Sequence, residues 1–411
     1  MNAEILAVGT ELLLGDILNT NAQFLSQELA KLGINTYWQT VVGDNMDRLQ
    51  EAYRLAFSRA DLVIATGGLG PTEDDITKEG AALHFKRELV LDEKSWEQIQ
   101  AYFQKLHAGM VPSNKKQAMI IEGGVPLENL NGTAPGLFFE ENGKMLFLLP
   151  GPPAEAQPMF LDSIVPRLKA LSSNTFVSKT IKICGVGESA VEELLRPMID
   201  SQSNPTIATY AKSSEVWVRF TASAPNEKEA LDIIRPTYEE AERILGINAY
   251  GTDGDTLASV VVRLLAEKNL KIAVAESCTG GMIASRIVDC PGASDVLLEG
   301  IVSYSNEAKV KRLGVKEETL REFGAVSPQT AEEMAKGTAL ASGADISIST
   351  TGVAGPGGGT PEKPVGLVYL GLFFKGETRT RKLNLAGNRS KVRERSAIYA
   401  LDMARRALLE G

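Results

Sequence analysis

Apolar runs of strand length alternate with amphipathic stretches of helix length in the first third of the chain. The apolar runs predict strands at Glu4–Val8, Ile34–Val42, Asp61–Ala65 and Lys144–Leu149. The stretch Asn21–Leu32, between the first two strands, has apolar residues at helical spacing. Strands separated by helices of this length are typical of parallel βαβ units with right-handed crossovers.

The rest of the chain restarts this alternation twice. After a proline-rich break at residues 150–158, elements are predicted at Ser178–Cys184, Glu188–Ile199, Glu215–Ala222 and Lys228–Leu245. In the last stretch, helices are predicted at Leu257–Lys268 and Val392–Leu409, and strands at Lys271–Ala275, Asp345–Thr350 and Val365–Phe374. Ser327 followed by Pro328 predicts the start of a further helix. We therefore predict three domains, at residues 1–170, 171–252 and 253–411.

Composition narrows the class of protein. The 411 residues are 44% hydrophobic and 23% charged, which excludes a disordered chain and a multi-span membrane protein. The N-terminal segment lacks a basic region ahead of an apolar one, so we expect neither a signal peptide nor a membrane span. The three cysteines form no CxxC pair, which favours the reducing cytoplasm over a disulfide framework or a zinc site.

Charge and histidine content limit the chemistry further. The formal net charge is −9, so we expect no direct binding of nucleic acid by a chain-wide cationic surface. Only two histidines occur, His84 and His107, and both lie in the first third. An active site beyond that point must therefore use a general base other than histidine.

The first candidate site is a glycine-rich turn, residues 66–75, which follows a predicted strand and precedes a predicted helix. Glycines there let backbone N–H groups approach a phosphate, and Thr72 adds a hydroxyl. Asp74 and Asp75 could hold a divalent metal ion that bridges phosphates. The alternative is a tight structural turn whose acidic residues favour the helix dipole.

Three more loops of small residues support a ligand site. They are residues 9–16 after the first strand, residues 131–136, and residues 149–153 at another strand end. Open α/β sheets bind ligands at the carboxyl edge of their strands, where such loops collect. A nucleotide-like ligand is the prediction.

The second candidate site is the segment Ala-Glu-Ser-Cys-Thr-Gly-Gly at residues 275–281. Ser277 follows a predicted strand and precedes a helix, where a nucleophile can use backbone N–H groups as an oxyanion hole. The alternative is that Ser277 or Thr279 caps the following helix. Cys278 is a competing nucleophile, but no histidine occurs in this part of the chain to activate it, which favours a buried structural cysteine.

Groups that could assist Ser277 lie further along the chain. Lys309 could serve as a general base if it is desolvated, although on a polar helix face it would be an ordinary solvated lysine. Residues 350–359 form a second glycine-rich loop, and Arg389 and Arg393 could bind a phosphate if the last helix folds over the site. Arginines at such a position are otherwise surface residues.

Several of these segments together resemble the CinA (competence/damage-inducible protein A) family. In the first third they are GTELLLGDILNTNA, VGDN, ATGGLGPTEDDIT, NGTAPG and LPGPP. The resemblance implies a molybdopterin-binding-like αβα fold and metal-dependent ADP-ribose pyrophosphatase activity. It makes Asp44, Thr72, Asp74, Asp75 and Asn131 candidate ligand or metal residues, with Glu11 and Asp16 as weaker ones.

The last third resembles the C-terminal domain of the same family through AESCTGG, SYSNEAK, GAVS, TTGVAGPGGG, KPVGLVY and GNRSKVR. Stand-alone versions of that domain are nicotinamide mononucleotide deamidases. The resemblance implies Ser277 as nucleophile, Lys309 and Tyr304 as base and orienting groups, and Thr351 and Ser294 as polar support. It implies Arg389 as a phosphate contact and no metal.

The residue patterns and the family resemblance together lead us to expect the following fold and site residues. The fold is α/β, with a molybdopterin-binding-like αβα domain, a small α+β domain that serves as a linker or in dimerisation, and an α/β deamidase domain. The catalytic residues are Ser277, Lys309, Tyr304 and Thr351, and the metal residues are Asp74 and Asp75. Substrate-binding residues are Asp44, Gly67, Gly68, Gly70, Thr72, Asn131, Thr279, Gly280, Ser294, Asn306, Gly352, Gly355 and Arg389.

The predicted function is that of a bifunctional cytoplasmic hydrolase of pyridine-nucleotide salvage. The last domain would deamidate nicotinamide mononucleotide without a cofactor, and the first would hydrolyse ADP-ribose with a divalent metal ion of the Mg, Mn or Co class. We expect a homodimer that binds neither membrane nor nucleic acid directly. The alternative is a non-catalytic protein that binds a nucleotide or pterin and takes part in competence and the response to DNA damage.

Overall fold

The structure is a computed structural model in which residues 1–105, 107, 109–171 and 175–410 are described. Residues 172–174, at the start of the predicted middle domain, lie outside the described residues, as do Leu106, Ala108 and Gly411. The chain divides into two units, one of residues 1–177 with 222–232 and one of residues 178–221 with 233 onward. The predicted domain boundaries stay predictions.

Residues 1–171 alternate strands and helices as the apolar pattern predicts. The strands are β1 (Asn2–Val8), β2 (Asn35–Val42), β3 (Leu62–Thr66), β4 (Leu89–Leu91), β5 (Met119–Ile121), β6 (Val125–Leu127), β7 (Gly136–Glu141) and β8 (Lys144–Leu149). The helices are α1 (Thr10–Leu14), α2 (Thr20–Lys31), α3 (Met46–Arg59), α4 (Thr77–Phe85), α5 (Glu93–Lys105), α6 (Pro153–Met159) and α7 (Val165–Leu171). A 3-10 segment, Pro112–Ala118, and a π-helical segment, Phe160–Ile164, complete this part.

The main sheet of this part has the order β2-β1-β3-β8-β7-β6. The first four strands are parallel, and β7 and β6 extend the sheet in antiparallel fashion. Ile5 packs with Leu25 and Phe160 on one face, and Leu6 packs with Tyr53 on the other. Helices therefore cover both faces, which confirms the predicted αβα architecture.

Residues 175–251 form a small α+β segment. Its strands are β9 (Thr175–Cys184), β10 (Thr206–Ala211), β11 (Glu215–Ala224) and β12 (Ala249–Gly251), and its helices are α8 (Glu188–Asp200) and α9 (Glu227–Leu245), followed by the 3-10 turn Gly246–Asn248. The sheet order is β10-β11-β9-β12. The apolar pattern does not predict strands β10 and β12. Both are short and have few buried residues, and each is held in place by hydrogen bonds to a neighbouring strand, β11 or β9.

The last part is a second α/β layer structure. Its strands are β13 (Ile272–Glu276), β14 (Leu297–Val302), β15 (Ile346–Gly352), β16 (Leu367–Phe374) and β17 (Glu377–Asn384). Its helices are α10 (Leu257–Glu267), α11 (Met282–Val288), α12 (Ala293–Val296), α13 (Asn306–Leu313), α14 (Glu317–Phe323), α15 (Pro328–Ser342) and α16 (Arg389–Glu410). The order is β14-β13-β15-β16-β17, with the first three strands parallel.

Local signals start the helices of this part where the sequence places them. The hydroxyl of Thr256 accepts a hydrogen bond from the N–H of Ser259 at 3.0 Å, which caps α10. Ser327 accepts from the N–H of Thr330 at 3.2 Å, so the predicted Ser-Pro start of α15 is confirmed. Among the described residues, no helix combines the length and apolar character needed to cross a membrane.

A buried charge cluster joins α16 to the small α+β segment. Asp402 is fully buried and accepts hydrogen bonds from Arg405 at 2.7 Å and from Arg406 at 2.7 Å. Arg405 also donates to the carbonyl of Ile247 at 2.6 Å, and Arg406 donates to that of Cys184 at 3.1 Å. The carboxylate of Asp402 therefore orients both guanidinium groups toward the backbone of that segment.

We predict that Asp402→Asn lowers the free energy of unfolding of this unit by about 3–5 kcal/mol, because it leaves the buried guanidinium of Arg405 without a countercharge. Scanning calorimetry of the full chain measures this change, since the unfolding transitions of the units are followed separately. Glu410→Gln, which removes an exposed ion pair with Arg379, is the control and should cost less than about 1 kcal/mol. Equal shifts in the two variants would contradict the prediction.

Candidate functional site

Four parallel strands of the first unit end in line and bring their following loops together. Val8 pairs with Val42, Ala7 with Thr66, and Thr66 with Leu149. The N–H of Gly9 donates to the carbonyl of Val42 at 2.9 Å, and the N–H of Gly67 donates to that of Leu149 at 3.0 Å. The loops after β1, β2, β3 and β8 thus share one edge of the sheet, as the sequence predicts.

A cavity of about 320 Å³ lies among these loops. Its lining includes the glycines of residues 67–70, the backbone of Gly9 and Gly151, and five carboxylate side chains, which are Glu11, Asp44, Asp74, Asp75 and Glu155. A second cavity of about 310 Å³, lined largely by apolar side chains such as Leu12, Ile17 and Leu18, shares several wall residues with the first. The two together form a cleft with one acidic part and one apolar part.

Hydrogen bonds inside the loops fix two of the carboxylates. The carboxylate of Asp75 accepts from the N–H of Thr72 at 2.9 Å and from the Thr72 hydroxyl. The carboxylate of Asp44 accepts from the N–H of Thr10 at 2.9 Å and from its hydroxyl at 2.8 Å. One oxygen of each carboxylate is therefore hydrogen-bonded within the protein, and the other oxygen remains available to a ligand.

Glycine is required where the turn passes closest to β1. Gly67 has a φ of +101°, and a Cβ added there would overlap the carbonyl oxygen of Val8. A Cβ on Gly70 would overlap the carboxylate of Asp75. The glycines therefore serve the close packing of the turn as well as access to its backbone.

The donor chemistry of this cavity fits a hard divalent cation. Carboxylate oxygens are the ligands that Mg²⁺ and Mn²⁺ prefer, and Mg²⁺ is commonly held by one or two carboxylates together with substrate phosphates. Across the described ranges, no group of three or more His, Cys, Asp or Glu side chains is arranged to hold a metal ion. Asp74 and Asp75 are two carboxylates in one wall, which matches a metal shared with a phosphate.

Two predicted residues of the first site lie away from this cavity, and three lining residues were missed. Asn131 donates to the carbonyl of Ala154 at 3.0 Å and so holds its loop against α6. Asp16 is exposed and lies outside the cavity lining. The structure adds Gln117, Thr133 and Glu155 to the lining. Of these, only Thr133 lies inside a segment that the sequence singled out.

The second site has a serine and a lysine in direct contact. Ser277 follows the end of β13, and Lys309 lies on α13. The Nζ of Lys309 is 3.1 Å from the Oγ of Ser277, and Lys309 is only 1% exposed. Lys309 is therefore not the solvated lysine that its polar helix suggests.

Two backbone carbonyls fix the direction of the lysine. Nζ donates to the carbonyl of Ser303 at 2.8 Å and to that of Tyr304 at 3.2 Å. Burial lowers the pKa of Lys309, because it removes water from the ammonium form. In the neutral amine, the two N–H groups can donate to the two carbonyls. The nitrogen lone pair can then accept the proton of the Ser277 hydroxyl.

The turn that carries Ser277 is fixed by its neighbours. The N–H of Ser277 donates to the carbonyl of Thr350 at 3.0 Å, and the hydroxyls of Thr279 and Thr350 are 2.7 Å apart. The alternative interpretation, in which Ser277 or Thr279 caps the next helix, does not hold, since α11 begins at Met282 after Gly281 with no capping side chain from either residue. The carboxylate of Glu276 accepts the first N–H groups of α11 instead.

Cys278 is buried, as the sequence favours. It is 5% exposed, and burial raises the pKa of its thiol to about 11. A thiol with that pKa is almost entirely protonated near neutral pH and is a poor nucleophile. The geometry therefore favours Ser277 over Cys278.

Three other polar residues predicted for this site, Thr351, Tyr304 and Asn306, make different contacts. The hydroxyl of Thr351 donates to the carbonyl of Ala325 at 2.6 Å, which is a structural contact. The side chain of Tyr304 is exposed, and its hydroxyl accepts from Arg389 at 3.0 Å, while only its carbonyl contacts Lys309. Asn306 is exposed at the first residue of α13.

Ser294 does not belong to this site. It lies on α12, which precedes β14, and β14 runs parallel to β13 with Leu297 opposite Ile272. Ser294 is therefore at the amino edge of the sheet, whereas Ser277 is at the carboxyl edge. At about 3.3 Å per residue, the length of β13 separates the two by roughly 15 Å.

Basic residues and glycines form the rim beside Ser277. Arg389 donates to the carbonyl of Gly355 at 2.9 Å, and Arg393 donates to that of Thr279 at 2.8 Å. Gly280 has a φ of +61° and is exposed next to Arg393. Gly352 ends β15, and a Cβ there would meet Val368. The last helix thus does reach the loops around Ser277.

Three family models match consecutive parts of the chain. A probable molybdopterin binding domain matches residues 4–170, a damage-inducible protein CinA KH domain matches residues 178–251, and a CinA C-terminal domain matches residues 254–408. Together with the structure, these matches confirm the predicted fold class, and they describe the middle domain as KH-like.

Full-length relatives agree with these matches, and one solved structure is also similar to part of the chain. A CinA-like protein of Kosmotoga olearia is 54% identical over 409 residues, which cover 100% of this chain and 99% of the relative. A CinA-like protein of Dictyoglomus turgidum is 52% identical over 409 residues and 100% of both chains. The crystal structure of the competence/damage inducible protein CihA of Agrobacterium tumefaciens is 41% identical over 37% of this chain and 93% of its own, with a TM-score of 0.36.

We predict that iodoacetamide at neutral pH alkylates Cys290 before Cys278 in the folded protein. Cys290 is only partly buried, whereas the thiol of Cys278 is buried and has a raised pKa. Mass spectrometry of tryptic peptides measures the order. The control is the protein in urea, where Cys184, Cys278 and Cys290 should react at similar rates. Faster reaction of Cys278 in the folded chain would instead indicate an activated thiol.

Proposed function

The chain belongs to the CinA family, and we propose that it is a bifunctional hydrolase of pyridine-nucleotide salvage. One activity is deamidation of nicotinamide mononucleotide at Ser277. The other is metal-dependent hydrolysis of ADP-ribose in the acidic cavity of the first unit. The observation that carries the proposal is the contact between the buried Lys309 amine and the Ser277 hydroxyl.

The first step of deamidation is attack of Ser277 on the amide carbon of the substrate. Lys309, as the neutral amine, takes the hydroxyl proton while the Oγ–carbon bond forms. The carbonyls of Ser303 and Tyr304 stabilise the ammonium that results, since they accept its other N–H groups. Lys309 then gives the proton to the departing nitrogen, which leaves as ammonia.

The second step is hydrolysis of the acyl-serine ester. Water attacks the ester carbon as Lys309 accepts its proton, and Ser277 leaves with that proton as nicotinate mononucleotide is released. Cys278 and Thr279 directly follow Ser277 in its turn, and their backbone N–H groups are the candidates for the oxyanion hole. All of these steps use groups of the protein and water.

The substrate phosphate needs positive charge, which the rim provides. Arg389 and Arg393 lie on the first turns of α16 and already bridge the loops at Gly355 and Thr279. A guanidinium group presents several N–H donors in one plane and suits a phosphate. We assign Arg389, the more exposed of the two, to the phosphate.

We predict that Ser277→Ala and Lys309→Met each lower the kcat of ammonia release from nicotinamide mononucleotide at least 10³-fold, because each removes an essential part of the proton and acyl transfer. A coupled ammonia assay on the full chain measures this. Ser294→Ala and Lys311→Met are the matched controls, since Ser294 lies at the opposite sheet edge and Lys311 is exposed on α13. Full activity of Ser277→Ala would contradict the assignment.

The pH profile gives a second readout of the same prediction. Only the neutral amine of Lys309 accepts a proton, so kcat rises with pH as Lys309 deprotonates. Because burial lowers the pKa of Lys309, the midpoint should lie below the ordinary lysine value of about 10.4. A wild-type profile that falls as pH rises would contradict a lysine base.

The cavity of the first unit supports the second activity. Five carboxylates would repel a pyrophosphate strongly in the absence of a cation. Asp74 and Asp75 would hold a divalent ion, which would neutralise the pyrophosphate and lower the pKa of a bound water. The hydroxyl and N–H of Thr72 hold Asp75 in place, and the neighbouring apolar cavity offers room for a nucleoside.

We predict that Asp75→Asn abolishes metal-dependent turnover of ADP-ribose, with a loss of at least 10²-fold, because it removes charge from the metal ligand set. Release of AMP is measured by chromatography across a titration of Mg²⁺ or Mn²⁺. Asp16→Asn is the control, since Asp16 lies outside the cavity lining. Turnover by the wild type without any divalent ion would refute the role of the metal.

The remaining parts of the proposal concern partners. We propose that the protein acts as a cytoplasmic homodimer and does not bind nucleic acid directly. Residues 178–251 carry eleven acidic and eight basic side chains and lack the G-x-x-G sequence with which KH modules clamp a nucleic-acid backbone. Wild-type protein that turns over neither nucleotide but still binds one would favour the non-catalytic alternative.

A further inference from the structure

Glu276 is a buried carboxylate directly before the proposed nucleophile. It is the last residue of β13 and is 1% exposed. Among the described residues, no lysine, arginine or histidine forms an ion pair with it. Carboxylates are rarely buried without a countercharge, so its environment must stabilise it in another way.

Backbone N–H groups supply that stabilisation. Oε2 accepts from Gly281 at 3.0 Å, and Oε1 accepts from Ile283 at 3.0 Å and from Ala284 at 2.9 Å. These are donors of the first turn of α11, which has no side-chain cap at Gly281. A negative charge at this end of a helix also interacts favourably with the helix dipole.

The same residue fixes both partners of the Ser277–Lys309 contact. Its carboxylate ties Glu276 to Gly281, so that residues 277–280 form a closed loop between two anchored ends. Its carbonyl accepts from the N–H of Ser303 at 2.9 Å, and the carbonyl of Ser303 in turn accepts from Lys309. One end of this chain of contacts holds the nucleophile and the other holds the base.

We propose that Glu276 is a positioning residue that holds Ser277 in line with Lys309 through its carboxylate. The proposal rests on the proposed role of Ser277 as nucleophile. A carboxylate is required because both oxygens accept N–H bonds. Glutamine would place an N–H₂ donor against one of these N–H groups, and aspartate is one methylene too short to reach them all.

The test compares Glu276→Gln, Glu276→Asp and the control Glu299→Gln in the full chain. Glu299 is an exposed glutamate on the neighbouring strand β14. Three quantities are measured, which are kcat and KM for nicotinamide mononucleotide, the rate at which a fluorophosphonate labels Ser277, and the thermal unfolding midpoint. The labelling rate reports the reactivity of the serine without depending on the identity of the substrate.

We expect Glu276→Gln to lower kcat and the labelling rate by 10- to 100-fold with KM within twofold, since small misplacements of a nucleophile have effects of this order. Glu276→Asp should retain more of both, because it keeps the charge, and it serves as the test if Glu276→Gln does not fold. Glu299→Gln should match the wild type.

Wild-type kcat and labelling in Glu276→Gln would overturn the proposal. The proposal would also be overturned if the losses of kcat and of labelling rate disappear after both are corrected for the fraction of folded protein. A purely structural role of Glu276 would give that result. If the wild type releases no ammonia but Ser277 is labelled, and Glu276→Gln reduces the labelling, the deamidase function fails while the positioning role stands. Absence of both ammonia release and labelling in the wild type overturns both.

Discussion

The burial of Lys309 is the constraint on which the second site depends. A lysine removed from water requires acceptors for its N–H groups, and here the only side-chain acceptor in contact among the described residues is Ser277. The two carbonyl acceptors come from the segment that follows β14, and Ser277 comes from the turn after β13. Neighbouring parallel strands place these segments side by side, so the sheet itself creates the pair.

The first unit has the same geometry with different side chains. Its parallel strands also end in line, but the loops after them carry carboxylates rather than a lysine. Under the proposed function, that difference gives each site its own way to bind an anionic substrate. The proposal requires a cation between the carboxylates and a phosphate at the first site, whereas at the second it uses the positive charge of Arg389 and Arg393.

The sequence predicts more of the fold than of the side-chain contacts. Strands such as β13 and caps such as Ser327 follow from local patterns, and the shared loop edge follows from parallel pairing. The sequence leaves open whether Ser277 or Thr279 caps α11, and neither does, because the residue that binds its N–H groups, Glu276, lies in the preceding strand rather than at the helix start. Ser294 was misplaced because a family resemblance does not say at which edge of the sheet a residue lies. Short pairing strands such as β12 carry too few apolar residues to be visible.

Helix α16 connects the small α+β segment to the loops around Ser277. Near its start Arg393 reaches the turn that carries Ser277, and near its end Arg405 and Arg406 reach the backbone around Ile247 and Cys184. A helix held at both ends cannot shift along its axis without breaking these partly buried hydrogen bonds to charged groups, which cost more to lose than fully exposed ones. The small α+β segment therefore fixes the position of the arginines on the rim.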